Sequence, residues 1–315
     1  MSENIEKKKI GFFKKWYTYQ KERFPIIVFL FYTLCIVLGT FFVTNVKSET
    51  TYLVTDKYSF ITIAAMWGVA FLQFLMVRII DEFKDYEEDC KYRSYRPVPR
   101  GLISLGELRV LFIICFVLQI TITVLAKGSL IALALLWIIF FLMTKGFFIK
   151  KFLDKHLIFE LIVDELMMPV MVLYLASFAI NDGNIFSIFY NINGFIEFLF
   201  ISYVCSCIAE VARKVRSKDK EENGVRTYTA VLGIPKATLL LYFLEVCIMV
   251  LQYMILGKYI LIPIVLANVF GLLSLFLFNI HQTHNMSKYV ELYANFYVVF
   301  AYLSMFMIYD GVIFI

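Results

Sequence analysis

The chain predicts an all-α polytopic membrane protein, and three observations carry that expectation. Of its 315 residues, 61% are hydrophobic, and the mean hydropathy is +0.78. A water-soluble core has no use for that much apolar surface, whereas helices facing lipid require it. Apolar runs of spanning length recur from one end to the other, and the basic residues cluster between alternate runs.

Nine such runs are read, at 24–46, 58–80, 104–126, 129–149, 157–180, 193–212, 236–256, 259–280 and 289–315. The segment 1–24 before them is polar and basic and resembles no cleavable signal peptide. It interleaves lysines with Phe12, Phe13, Trp16 and Tyr17, as an amphipathic helix lying on an anionic leaflet would. Lipid accounts for those residues without nucleic acid, which is not expected as a partner. The domain reading is therefore a basic segment over 1–24 and a nine-helix transmembrane domain over 25–315. Lys127-Gly128 makes a tight turn between the third and fourth runs. The fifth run carries Glu160, Asp164 and Glu165, which read either as a cavity wall or as ion-pair partners of Lys145, Arg78 or Lys155. Glu245 and Glu291 read as structural acids.

Charge placement sets the orientation. Four of the 30 basic residues (Lys47, Lys57, Lys127 and Lys258) fall between runs on one side, and the other 26 lie on the opposite side or at helix ends facing it. The positive-inside rule then puts the N-terminus in the cytoplasm, the protein in the cytoplasmic membrane and, with an odd count, the C-terminus outside.

Metal and disulfide frameworks built on soft ligands are not indicated. Five of the six cysteines (Cys35, Cys115, Cys205, Cys207 and Cys247) lie inside apolar runs, leaving Cys90 in a loop. His156, His281 and His284 are scattered, the last two in a short polar connector that reads as solvated.

The chemistry is concentrated in two loops, each following directly on an apolar run. Residues 81–100 read DEFKDYEEDCKYRSYRPVPR, and residues 210–228 read EVARKVRSKDKEENGVRTY. On a helix continuing from the second run, Glu82, Asp85 and Asp89 share a face, with Asp81 and Glu88 on the next stripe. Stacked carboxylates repel one another, and a divalent cation resolves that repulsion. Mg²⁺ takes one or two carboxylates together with phosphate oxygens. A solvated acidic helix end paired to Lys84, Lys91 and Arg93 is the plainer alternative. Arg96 and Arg100 follow on a stiff Pro97/Pro99 backbone, and their planar forks suit phosphate. A helix running into a charged loop occurs at 58–103 and again at 193–235, hinting at two related units around one cavity.

Here the sequence resembles the UbiA-type superfamily of intramembrane prenyltransferases. Its Asn-Asp-x-x-Asp-x-x-x-Asp motif is matched by Asp81, Glu82, Asp85 and Asp89, followed by Arg96-Pro97 and Arg100-Gly101. Its second motif is matched by Gly224-Val225-Arg226-Thr227 and Gly233. The resemblance implies a UbiA-like bundle that uses Mg²⁺ to ionise a prenyl diphosphate and passes the prenyl group to an acceptor. That acceptor is a quinone precursor, a tetrapyrrole or a lipid. It implies catalytic Asp81, Glu82, Asp85 and Asp89, and metal ligands Glu82, Asp85, Asp89, Glu210 and Asp219. Diphosphate binding falls to Arg96, Arg100, Lys145, Lys151, Arg213, Lys214 and Arg216. The chain departs from the pattern at Asp81, where Asn is usual, and at Glu82, where Asp is usual. In the second loop Glu210 and Asp219 stand for a fuller aspartate set, and bases take over part of a metal's role. The alternatives are a terpene cyclase of the same family and, in another class, a non-catalytic lipid-binding or transport protein.

Overall fold

The structure is a computed structural model that describes residues 11–45, 57–179, 189, 192, 194–221 and 225–308. Fourteen helices are numbered in chain order. An amphipathic helix α1 (Phe12–Arg23) leads into α2 (Ile26–Asn45) and the long α3 (Lys57–Lys84). A short α4 (Tyr86–Tyr92) precedes α5 (Leu105–Leu125) and α6 (Leu130–Thr144). Then come α7 (Lys150–Leu153), α8 (Leu157–Asp164) and α9 (Met167–Ala176). The second half holds α10 (Phe195–Arg213), α11 (Tyr228–Leu232), α12 (Ile234–Leu256), α13 (Leu261–His281) and α14 (His284–Leu303).

Where their residues are described, the apolar runs fall largely on helices. Among the described residues, six stretches are long and apolar enough to cross a membrane, one of which, Ile234–His281, joins α12 and α13. The protein is thus an all-helical, multi-pass membrane protein. Helix α6 is a shorter apolar helix, and the fifth run is interrupted between Asp164 and Met167 rather than continuous. Tyr203 of α10 donates to the Ile162 carbonyl at 2.9 Å, satisfying an acceptor beside the break.

Side-chain caps fix where helices begin. Ser104 and Glu107 form a reciprocal capping box at the start of α5, and Thr283 accepts from the Met286 amide to start α14. Gly233 at φ 80 turns the chain between α11 and α12, a backbone state that favours glycine.

The helices close into a ring. Neighbours touch in the order α2, α3, α5, α6, α9, α10, α12, α13, α14, and α14 returns to α2. Closure depends on Gly39: a Cβ there would stand 2.9 Å from the Tyr302 carbonyl oxygen, so the small residue lets α2 approach α14. Inside the ring, Trp137 donates to Gln119, which donates to Gln73, stitching α6, α5 and α3. Thr123 and Tyr174 share a hydrogen bond of 2.6 Å between α5 and α9.

Candidate active site at the charged helix ends

The two charged loops meet at one end of the ring. Arg213, at the end of α10, lies within electrostatic reach of Asp81 at the end of α3 and of Glu165 beside α8. Lys84 acts on Asp164 from across the opening, and Glu291 of α14 senses Arg213 and Arg216. Four elements far apart in sequence therefore bring their charged groups to one polar region, the basin.

The first acidic motif divides between two faces. Helix α3 ends at Lys84 and α4 starts at Tyr86, so Glu82, Asp85 and Asp89 do not ride one continuous helix. That expectation is corrected by the break at Asp85, whose ψ of 3° redirects the chain. Glu82 and Asp89, 1% and 2% exposed, face α1. Glu82 accepts from Arg23 at 2.6 Å and from Arg78 at 2.9 Å. Asp89 accepts from Arg96 at 2.6 and 2.8 Å and from Arg93 at 3.2 Å. Charge-assisted bonds of this length, buried, are strong and leave little capacity for an ion. Asp81 is different: among the described residues its one ion pair is with Arg78 at 3.7 Å, and its side chain is 40% exposed. Half-buried Asp85 enters no ion pair among the described residues.

The arginines expected to grip diphosphate are likewise engaged. Arg100 forks onto both oxygens of Glu22 at 2.8 and 2.9 Å and also donates to the Tyr95 carbonyl. Arg96 holds Asp89. Pro97 and Pro99 thus stiffen a clamp around α1 rather than present two free guanidinium groups. Lys15 of α1 pairs with Glu107, and Tyr19 packs with Ile79, Val98, Ile103 and Leu108. Helix α1 is therefore docked on the motif loop through its inner face, while Phe12, Phe13 and Tyr17 stay exposed. Lys145 and Lys151 are exposed on the connection around α7 and enter no ion pair among the described residues.

In the second loop, α10 ends at Arg213. Glu210 accepts from Arg213 at 2.5 Å and pairs with Lys214 at 2.6 Å. Arg213 remains 61% exposed despite that pair. Asp219 is exposed on the loop, away from Glu210, and Gly224 lies outside the described residues. Glu160 pairs with Arg226 at 3.3 Å, not with Lys145, Arg78 or Lys155, whereas Asp164 and Glu165 enter no ion pair among the described residues and border the basin.

Sequence reasoning missed two contributors. Glu221 organises the loop by accepting from the hydroxyls of Thr227 (2.7 Å) and Thr229 (2.6 Å), while Thr229 Oγ1 accepts from the Arg216 amide at 3.1 Å. Its signal was a capping-type acid ahead of a Thr-x-Thr segment. Tyr228, 1% exposed, is the other. Burial and the surrounding carboxylates Glu210, Glu160 and Glu165 push its phenol well above the usual range, so it stays a neutral hydroxyl beside the basin.

No three carboxylate, imidazole or thiol side chains gather into a protein-only metal cage among the described residues. Mg²⁺ bound with a diphosphate asks for less, one or two carboxylates beside phosphate oxygens and waters. Asp81 and Asp85 meet that demand.

Comparison with known proteins decides the family. Residues 53–307, most of the chain and both loops, match the UbiA prenyltransferase family. The chain belongs to that family. It is accordingly an intramembrane prenyltransferase. A solved structure described as digeranylgeranylglyceryl phosphate synthase in membranes superposes with a TM-score of 0.58. The two share 16% identity, over 92% of this chain and 98% of that one, so the likeness is one of fold. No curated protein sequence matches the chain.

Proposed function

We propose that this prenyltransferase uses Mg²⁺ to ionise a prenyl diphosphate in the basin between α3, α8, α10 and α14, and transfers the prenyl group to a lipid-phase acceptor. The observation that carries the reading is the meeting of Asp81 and Asp85, which lack strong partners, with Lys84, Arg213 and Lys214 at one end of the ring. Asp81 and Asp85 would hold the metal, which supplies positive charge to the leaving diphosphate. Lys84 and Arg213 approach the remaining oxygens, and Lys214, tethered by Glu210, stands beside them. The allylic C–O bond breaks, and its electron pair leaves with the diphosphate. The acceptor supplies the electrons of the new bond and loses a proton. Asp164 and Glu165 line the opposite wall, and Asp164 is the group suited to take that proton. The apolar ring excludes water from the cation meanwhile.

Glu82 and Asp89 take a supporting role in this reading, since arginines saturate them. The same contacts leave Arg96 and Arg100 as braces of α1. The orientation that suits it has both loops on the cytoplasmic side of the cytoplasmic membrane, with nine runs crossing.

The test is incubation of purified protein with Mg²⁺ and prenyl diphosphates of several lengths, following diphosphate release and mass spectra of the lipids. Expected is Mg²⁺-dependent release that Asp81→Ala and Asp85→Asn each reduce at least about 100-fold, within the range for lost transition-state electrostatics. Full turnover in EDTA, or in Asp85→Asn, would overturn the assignment.

A further inference from the structure

Half-way along α12, Glu245 is completely buried, and among the described residues neither of its carboxyl oxygens accepts a hydrogen bond of ordinary geometry, although the Tyr293 hydroxyl lies beside it. An ionisable group at such depth marks function unless something satisfies it. Its surroundings were built for it. Gly271 of α13 leaves the notch in which the carboxyl sits; a Cβ there would collide with both Glu245 Oε2 and the Tyr293 hydroxyl.

Every donor in this cluster is already engaged. Asn268 Nδ2 donates to the Ile264 carbonyl at 2.9 Å and to the Tyr297 hydroxyl at 3.0 Å. Tyr297 donates to the Glu245 backbone carbonyl at 2.7 Å, and Tyr293 donates to the Ala267 carbonyl at 2.6 Å. What remains are acceptors: both Glu245 oxygens and Asn268 Oδ1. The groups acting on the carboxyl are tyrosines rather than bases. A proton on Glu245 would satisfy one acceptor and leave the others, each at a cost when buried. The cluster is complementary to a donor that comes from elsewhere.

A second observation indicates where it comes from. A groove of about 470 Å³ runs between α13 and α14, walled by Ser274, Leu277, Tyr289, Phe296 and Tyr293. Its size is that of a small-molecule site, and its outer walls are apolar and exposed where lipid would surround them. Tyr293 belongs to both features: its ring walls the groove, and its hydroxyl lies in the Gly271 notch beside Glu245.

We propose that Glu245, Asn268 and Tyr293 form a second binding site, inside the membrane, for a lipid-soluble alcohol. Its chain lies in the α13–α14 groove, and its hydroxyl donates to the Glu245 carboxyl. Depth selects this class. A donor that must reach the middle of a spanning helix from the lipid side has to travel dissolved in hydrocarbon, which excludes a phospholipid headgroup. The site stands apart from the diphosphate basin, so it does not depend on the reaction assigned there.

Wild-type protein in detergent is treated with a hydrophobic carbodiimide, which modifies buried carboxyls, and labelling of Glu245 is followed by peptide mass spectrometry. A long-chain primary alcohol should slow that labelling about tenfold or more, the factor set by one buried hydrogen bond, and its methyl ether should not. A diazirine version of the alcohol should cross-link α13 and α14. The cross-link should drop by a similar factor in Tyr293→Phe and in Glu245→Leu, a change that replaces a buried carboxyl with an apolar side chain and is compatible with folding. Equal protection by alcohol and ether, or undiminished cross-linking in both variants, would overturn the proposal. Protection by NaCl alone would overturn it too, assigning the acceptors to a cation instead.

Discussion

Asp89 and Asp85 stand four residues apart in one acidic motif, yet their surroundings separate their roles. Asp89 is buried among Arg93 and Arg96, so Asp89→Asn takes away the carboxylate that the Arg96 guanidinium holds. Breaking such a buried pair costs about 3–5 kcal/mol. Thermal unfolding in detergent should therefore register a large loss of stability in Asp89→Asn, whereas Asp85→Asn should lose turnover at an unchanged midpoint. Equal midpoints in the two variants would contradict the division of the motif. Glu221 offers a second test. Removing its carboxylate in Glu221→Ala strands the Thr227 and Thr229 hydroxyls and with them the brace on the Arg216 amide. The loss of a charge-assisted contact is about 1.5–3 kcal/mol locally. It should show as faster proteolysis of the 214–229 loop and a raised Michaelis constant for prenyl diphosphate.

Among the elements, α1 carries the sharpest expectation. Its inner face is joined to the motif loop by Lys15–Glu107, Glu22–Arg100 and Arg23–Glu82. These pairs are unequal. Glu22 and Arg100 are more than a third exposed, where an ion pair contributes about 0–1 kcal/mol. Arg23 and Glu82 are buried. Arg23→Gln should accordingly lower stability and loosen α1, and Arg100→Gln should do little. Tryptic cleavage at Lys14 and Lys21 of α1, sites that both variants keep, measures both, and a reversed order would show that the exposed clamp dominates. The contact of α2 with α14 gives a companion test. Gly39→Val places two methyl groups against the Tyr302 backbone, an overpacking worth about 1–3 kcal/mol, and should lower the unfolding midpoint.

For the whole molecule, ring closure requires the two charged loops to share one membrane face, because Arg213 reaches Asp81. Exposed Cys90 and a cysteine placed at Lys218 should react together with an impermeant maleimide from one side of oriented vesicles, and neither from the other. Labelling from opposite faces would refute the bundle's arrangement.

The apolar runs, their alternating basic connectors and the two motifs were legible in the chain because hydropathy and charge are summed locally, residue after residue. Class, membrane embedding and family follow from that information alone. Partnership is not local. Sequence spacing put Glu82, Asp85 and Asp89 on one face, but the break at Asp85 and the docking of α1 turned two of them toward arginines. Arg96 and Arg100 looked available for phosphate until Asp89 and Glu22, the latter 78 residues away from Arg100, occupied them. Glu291 and Lys84 carried no motif, and only the ring brought them to the basin. Glu245 read as a structural acid, and the absence of a hydrogen bond of ordinary geometry to its carboxyl appears only once α12, α13 and α14 are packed. A charged side chain acquires its chemistry from what neutralises it, and in this fold the neutralising group comes largely from another helix.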